Sequence, residues 1–252
     1  MITRNDSNAT TAKTATCNIV ELRQYTLHPH QRDTLTTLFD REFVETQEAV
    51  GIRVLGQFRD LDDADRFVWL RGFADMQTRR RGLEAFYGGP VWAAHRNAAN
   101  ATMISSDDVL LLRPAWPGAA DALHTGELAE PGSTRVPSGV ILVAIHYLQA
   151  PTDTGFIAWC RDAMATAMAK GGAARQAWYV TESSPNTFPR LPVRGDVYVL
   201  VGIAVFAEAT ALEKFRQSHY ESAAIATTLA NRLAQPPVLH RVAPTARSAL
   251  HL

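Results

Sequence analysis

An acid, a guanidinium and a phenol alternate with other residues in Glu21-Leu22-Arg23-Gln24-Tyr25. The two-residue repeat of a β-strand puts Glu21, Arg23 and Tyr25 on one face. Val20 and Leu22 take the other face, which as the apolar one is expected to lie against helices, so the polar trio should point to the sheet side away from them. A carboxylate buried there needs a cation, and Arg53, Arg66 or Arg71 could supply it as a structural ion pair. The alternative is a polar cluster that binds a ligand, or one in which Glu21 or Tyr25 moves a proton. Trp69 and Arg71 form a similar pair on a later strand. Trp92, His95, Arg96 and Asn100 have spacings that share one helical face; Arg96 could clamp a carboxylate or phosphate, and packing over an aromatic is the plain alternative. His95 could act as a base, and His219, beside Tyr220, is the best candidate for an acid/base or an axial haem ligand.

Other motifs carry less. Cys17 and Cys160 belong to no CxxC or Cys/His spacing, which points to neither a disulfide framework nor a zinc site. His28-Pro29-His30 reads as a turn before a helix, and Asp62, Asp63 and Asp65 as an acidic turn without EF-hand spacing. Arg79-Arg80-Arg81 reads as a solvated helix face. GxGxxG, Walker, GxSxG and HExxH patterns are absent from the sequence, so no cofactor is expected apart from the haem alternative at His219, and no metal. Lys plus Arg and Asp plus Glu both total 25 in 252 residues, giving a formal net charge of zero, so no general field draws nucleic acid or an anionic membrane. The most apolar stretch, 197–207, is far shorter than the roughly twenty residues of a membrane-spanning helix. These features lead us to expect a cytoplasmic protein whose partner is a small molecule.

The elements that would position these residues occur twice. Glu21-Leu22-Arg23-Gln24-Tyr25-Thr26-Leu27-His28-Pro29 is echoed by Val143-Ala144-Ile145-His146-Tyr147-Leu148-Gln149-Ala150-Pro151. Each copy continues with a helical stretch, two strand-like runs, the second holding a glycine (Gly72, Gly202), and a Leu-Glu-x-Phe helix start at 83–86 and 212–215. Such tandem repetition implies a pseudo-dimer. The chain divides into a disordered tail (1–17), a first unit (18–114), a Gly- and Pro-rich linker (115–138) and a second unit (139–248). Each unit reads as βαββα with an extra strand, the last helix of the second running over 211–233. Aligning the repeats on their tyrosines places Glu21, Arg23 and Tyr25 against Val143, Ile145 and Tyr147, and Trp69 and Arg71 against Val199 and Val201. The connector 182–195, with three prolines, is long enough to be a lid or a decoration.

The strand 21–27, the helix after it, the strands 54–58 and 68–73, Trp92 with His95-Arg96-Asn97, and the strand 109–114 together resemble a NIPSNAP domain. The second unit resembles it more loosely, through Tyr147, Pro151, Gly202 and Pro244-Thr245-Ala246-Arg247-Ser248. The resemblance implies an α+β fold of the dimeric α+β barrel superfamily, in which two ferredoxin-like units pack their antiparallel sheets face to face. It implies no reaction. With both sheets facing one lumen, the expected site is a cavity whose polar end comes from Glu21, Arg23, Tyr25, Trp69, Arg71, Trp92 and Arg96 and whose aliphatic end, with Tyr147, comes from the second unit. Such a cavity suits a small amphiphilic or aromatic metabolite. A cofactor-independent oxygenase, isomerase or lyase using the cavity, with Glu21, Tyr25 or His219 as its catalytic group, is one alternative; a structural or interaction module with a filled barrel is another. Sheet edges or helices would carry a homodimer.

Overall fold

The computed structural model describes residues 17–123, 127–217 and 223–252. The first half builds β1 (Ile19–Leu27), β2 (Arg53–Asp60), β3 (Arg66–Phe73) and β4 (Met103–Pro114), and the second half builds β5 (Val140–Leu148), β6 (Arg175–Thr181), β7 (Tyr198–Phe206) and β8 (Val238–Pro244). All pairings are antiparallel, and the strands close one barrel in the order β1-β3-β2-β8-β5-β7-β6-β4. The first half contributes β4-β1-β3-β2 and the second β8-β5-β7-β6, the same order twice, so the α+β barrel expected from tandem units forms within one chain. Because every strand has neighbours on both sides, the sheet edges expected to carry a homodimer are used up by closure.

Helices cover the outside. α1 (Arg32–Leu38) runs through a π-turn (Phe39–Phe43) into α2 (Val44–Glu48). α3 (Met76–Gly88) starts where the Asp75 carboxylate accepts from Thr78 N at 2.6 Å, and α4 (Pro90–Asn100) opens on a proline, whose missing N–H costs nothing in a first turn. The second half repeats the pattern with α5 (Thr154–Trp159), a π-turn (Cys160–Ala165) and α6 (Thr166–Lys170), then α7 (Ala209–Phe215) and α8 (Ala223–Ala230). His219 and Tyr220, and all of the expected tail except Cys17, lie outside the described residues. Cys17 itself is buried in the lumen. The segment expected as a surface linker begins by packing on the sheet: Ala115 N donates to Trp178 O and Trp178 N to Ala119 O.

The lumen is filled, chiefly by aliphatic side chains that include Val20, Leu22, Leu70, Val143, Ile145 and Val201. This overturns the expected direction of the first strand. Val20 and Leu22 point inward, and Tyr25 and Trp69 pack among the helices. The alternation holds, but the apolar face of a barrel strand is claimed by the filled lumen and not by the helix layer. The repeat alignment is also out of register, by one residue on the first strand and by three on the strand that holds Arg71. Ile19 pairs with Phe73 and Val140 with Phe206 at equivalent ladder positions, so Glu21, Arg23 and Tyr25 match Leu142, Ala144 and His146. A slip of one residue exchanges the faces of a strand, which is why Tyr147 lies in the lumen while Tyr25 lies outside it. The glycines that anchored the alignment face opposite ways too: a Cβ on Gly72 would strike Cys17 in the lumen, and one on Gly202 would strike the Trp178 ring in the helix layer.

The two halves meet at short seams. β2 and β8 share three residue pairs, Phe58 to Asp60 against Pro244 to Val242. Beside them a buried relay crosses the halves: Asp60 Oδ2 lies 2.7 Å from His240 Nδ1, and His240 Nε2 lies 2.8 Å from Gln24 Oε1. Burial pushes the Asp60 carboxyl up, but the hydrogen bonds from His240 and from Asp62 and Asp63 N–H, with the His240 charge, leave it below its ordinary value of 3.8. A depressed carboxylate stabilises the fold above its unfolded pKa, and that contribution fades as pH falls through the folded one. We therefore expect urea titrations to show stability falling from about pH 5 downward, with a shallower acid slope in Asp60→Asn. His240→Ala, which strands a buried carboxylate, should cost about 3 kcal/mol or more at pH 7.

Candidate functional site

Glu21 is fully buried between the sheet and the helices of the first unit, and three guanidiniums converge on it. Arg23 Nη1 meets Oε2 at 2.6 Å, and Arg71 reaches the same oxygen through Nε at 2.8 Å and Nη2 at 2.7 Å. Arg79 Nε takes Oε1 at 2.7 Å. Burial alone would raise the Glu21 carboxyl; the fields of Arg71, Arg23 and Arg79 outweigh it and hold the group far below the usual carboxylate range. The structural ion pair expected for Glu21 is thus present, with Arg71 from the expected set and with two further arginines. Arg53 instead pairs with Glu48 and Arg66 with Asp63.

The local strand logic explains the convergence. Glu21 and Arg71 are direct cross-strand partners, as are Arg23 and Trp69, so one acid sits within side-chain reach of two arginines on neighbouring strands. Arg79 comes from above. On α3 its spacing to Leu83 and Phe86 puts it on the helix's buried face, which contradicts its reading as part of a solvated basic triplet; Arg80 and Arg81 alone are exposed. That spacing was a legible signal, since a solvated triplet would not share a helical stripe with two core residues.

One carboxylate among three buried guanidiniums leaves positive charge in excess. Aromatic faces absorb part of it: the Arg23 guanidinium carbon lies 5.4 Å from the Tyr25 ring centre and 5.5 Å from Trp69, and that of Arg71 lies 5.2 Å from Trp69 and 5.7 Å from Tyr87. Neutral acceptors take more. Arg23 Nε donates to the Tyr25 hydroxyl at 2.9 Å, and Arg71 Nη1 to Gln47 and Tyr87 at 3.3 Å each. Arg79 Nη2 and Trp69 Nε1 remain buried without a hydrogen-bond acceptor among the described residues. Burial raises the Tyr25 pKa in spite of Arg23 beside it, so its hydroxyl keeps its proton at neutral pH. Next to the cluster, Tyr25, Phe39, Phe43, Trp69, Tyr87 and Trp92 line a cavity of about 30 Å³.

The connector 182–195 reaches this cluster from the second unit. Asn186 Oδ1 and Thr187 Oγ1 accept from Arg79 Nη1 at 2.9 and 3.2 Å, and the buried Phe188 ring stacks on Tyr87 with centres 5.9 Å apart. Of the residues expected to bind a ligand, Glu21, Arg23, Tyr25, Trp69, Arg71 and Trp92 come together here. Arg96 does not: it is exposed on the far side of α4, while His95 packs inward toward Glu42 at 3.4 Å. Tyr147 lies in the lumen, its hydroxyl accepting from Arg194 at 3.3 Å. The matching layer of the second unit is aliphatic and plugged, with Leu142, Ala144 and Ala204 where the first has Glu21, Arg23 and Arg71, and Trp178 over Gly202. Buried His146 replaces Tyr25 and is pushed down to about 4 by desolvation. Among the described residues no group of three His, Cys, Asp or Glu is arranged to hold a metal ion, and no helix is long and apolar enough to cross a membrane.

The NIPSNAP family model matches residues 20–116. This part of the chain is a NIPSNAP domain. It holds every member of the cluster around Glu21, and only the strap of residues 186–188 reaches it from outside. Solved structures share the whole barrel at low identity. A candidate monooxygenase from Fusobacterium nucleatum subsp. nucleatum aligns with a TM-score of 0.60 at 8% identity, over 91% of this chain and 93% of its own. A second candidate monooxygenase, from Lactobacillus acidophilus, gives 0.55 at 13% identity over 94% and 100%, and an anthrone oxidase-like protein 0.51 at 12% over 95% and 97%. These likenesses establish the fold. No curated protein matches the chain.

Replacing Glu21 by Gln in the NIPSNAP domain removes the one carboxylate that, among the described residues, faces the three arginines. We expect this to cost about 3–5 kcal/mol in denaturant-induced unfolding, while Arg80→Gln on the exposed side of the same helix should change stability by less than about 0.5 kcal/mol.

Proposed function

We propose that the NIPSNAP domain binds a small molecule with an anionic head and an aromatic or aliphatic body, in the chamber between its sheet and its helices. The observation that supports this reading is the excess of buried positive charge around Glu21. Fully buried cations are expensive unless an anion meets them, and among the described residues Arg79 Nη2 and Trp69 Nε1 find no acceptor. The aromatic walls beside it would take the body of the ligand. The lumen, where a cavity was expected, is filled; the contrast of a charged and an aliphatic half holds between the two helix layers instead.

The chamber is small as it stands, since about 30 Å³ admits little more than water. A ligand therefore enters only if the aromatic walls move apart. A reaction in the same chamber, of the oxygenase, isomerase or lyase type, has one observation in its favour: the Tyr25 hydroxyl is protonated and fixed by Arg23, ready to donate a proton to a bound group.

Phenylacetate and 4-phenylbutyrate are suitable probes, with tryptophan fluorescence as the signal because Trp69 and Trp92 line the cavity. The reading predicts saturable quenching that weakens about tenfold or more in Arg79→Met, the loss of one charge-assisted hydrogen bond. Unchanged affinity in that variant, or no saturable signal with either acid, would count against it.

A further inference from the structure

The same strap frames a second and much larger space. Between residues 182–195, the ends of β4, β6 and β7 and the turn at Pro151 and Thr152 lies an open groove of about 700 Å³, within the range of sites that enclose small organic ligands. Both feet of the strap are tied to β4, Glu182 N to Leu111 O and Arg194 N to Val109 O, each at 2.8 Å. Pro185, Pro189 and Pro192 contribute to its wall; their rings fix the backbone and demand no hydrogen bonds. A preformed groove costs a ligand little ordering.

Its charged groups point to one chemistry. Arg113 lines the groove, is exposed, and pairs with no carboxylate among the described residues. Arg194 is held in place by the Tyr147 ring, 5.3 Å below its guanidinium carbon, with the nearest acid, Asp108, at a loose 3.7 Å. The one acid in the lining, Glu182, is engaged by Ser184 N at 2.7 Å. Apolar surface from Leu111, Val180, Val193 and Val199 lies between the arginines and the prolines. We infer that this groove is a second binding site, separate from the chamber, for a carboxylate carried on a hydrocarbon body, with Arg113 as the principal head-group contact and Arg194 as its neighbour.

The site does not depend on the chamber being occupied, but the two share a wall. Asn186 lines the groove and also accepts from Arg79 in the chamber, so a ligand that moves the strap acts on both.

Calorimetry on the full chain with decanoate, and with decan-1-ol as the uncharged control, tests the inference. Decanoate should bind at least about tenfold more tightly than the alcohol, and Arg113→Ala should weaken it about tenfold, as one charge-assisted contact does. Arg113→Lys should recover part of the loss. Arg113 is exposed, so its removal leaves the fold intact, and Trp69→Phe, which removes a buried donor of the chamber and touches no residue of the groove, should leave decanoate affinity unchanged. No binding of decanoate, equal binding of the alcohol, or a loss that follows Trp69→Phe and not Arg113→Ala would overturn the assignment. The last outcome would place the acid in the chamber instead.

Discussion

The buried carboxylate of Glu21 is the constraint around which the first unit is arranged. It is bonded to arginines on β1, β3 and α3, so two strands and one helix are tied to a single side chain, and the strap joins them through Arg79. A charge placed so deep is stable only because the arginine fields exceed its desolvation cost, and the arginines in turn would be strongly destabilising without it. The aromatic shell of Tyr25, Trp69 and Tyr87 follows from the same need: guanidiniums that lack carboxylates are accommodated over ring faces and by neutral acceptors. What remains uncompensated is the physical case for a ligand.

The second unit shows what the fold does without that constraint. At the matching positions it carries Leu142, Ala144 and Ala204, and the space above the sheet is taken by Trp178. One half of the pseudo-dimer has thus kept a polar interlayer while the other has become a packed core. Both retain the π-turn in the first helix, Phe39–Phe43 and Cys160–Ala165, a shared irregularity that belongs to the architecture, since it persists where no polar cluster does.

Much of this was legible in the residues. The duplicated strand-helix-hairpin order dictates two sheets, and each needs its apolar face covered, which closes the barrel. The trio Glu21, Arg23 and Tyr25 was visible from alternation, and its ion pairing from the cost of burial. The face it occupies was not, because alternation separates two faces without saying which of them the lumen claims. The tyrosine and glycine landmarks misled for a related reason: a repeat can be aligned on residue identity and still be an odd number of positions out of register, which exchanges the faces. The strap and the Asp60, His240 and Gln24 relay join residues over a hundred positions apart, and no local pattern announces such contacts. Arg79 is the exception, since its place on a helical stripe with Leu83 and Phe86 was there to be read.

The account rests on Glu21 being ionised and enclosed by arginines, and carbon-detected NMR of its side-chain carboxyl across an acid titration tests this directly. The carboxyl carbon should keep the shift of an ionised group at every pH down to the point where the protein unfolds. A titration centred near the ordinary value of 4.5 while the barrel is still folded would contradict it, and with it the charge excess from which the binding chamber was inferred.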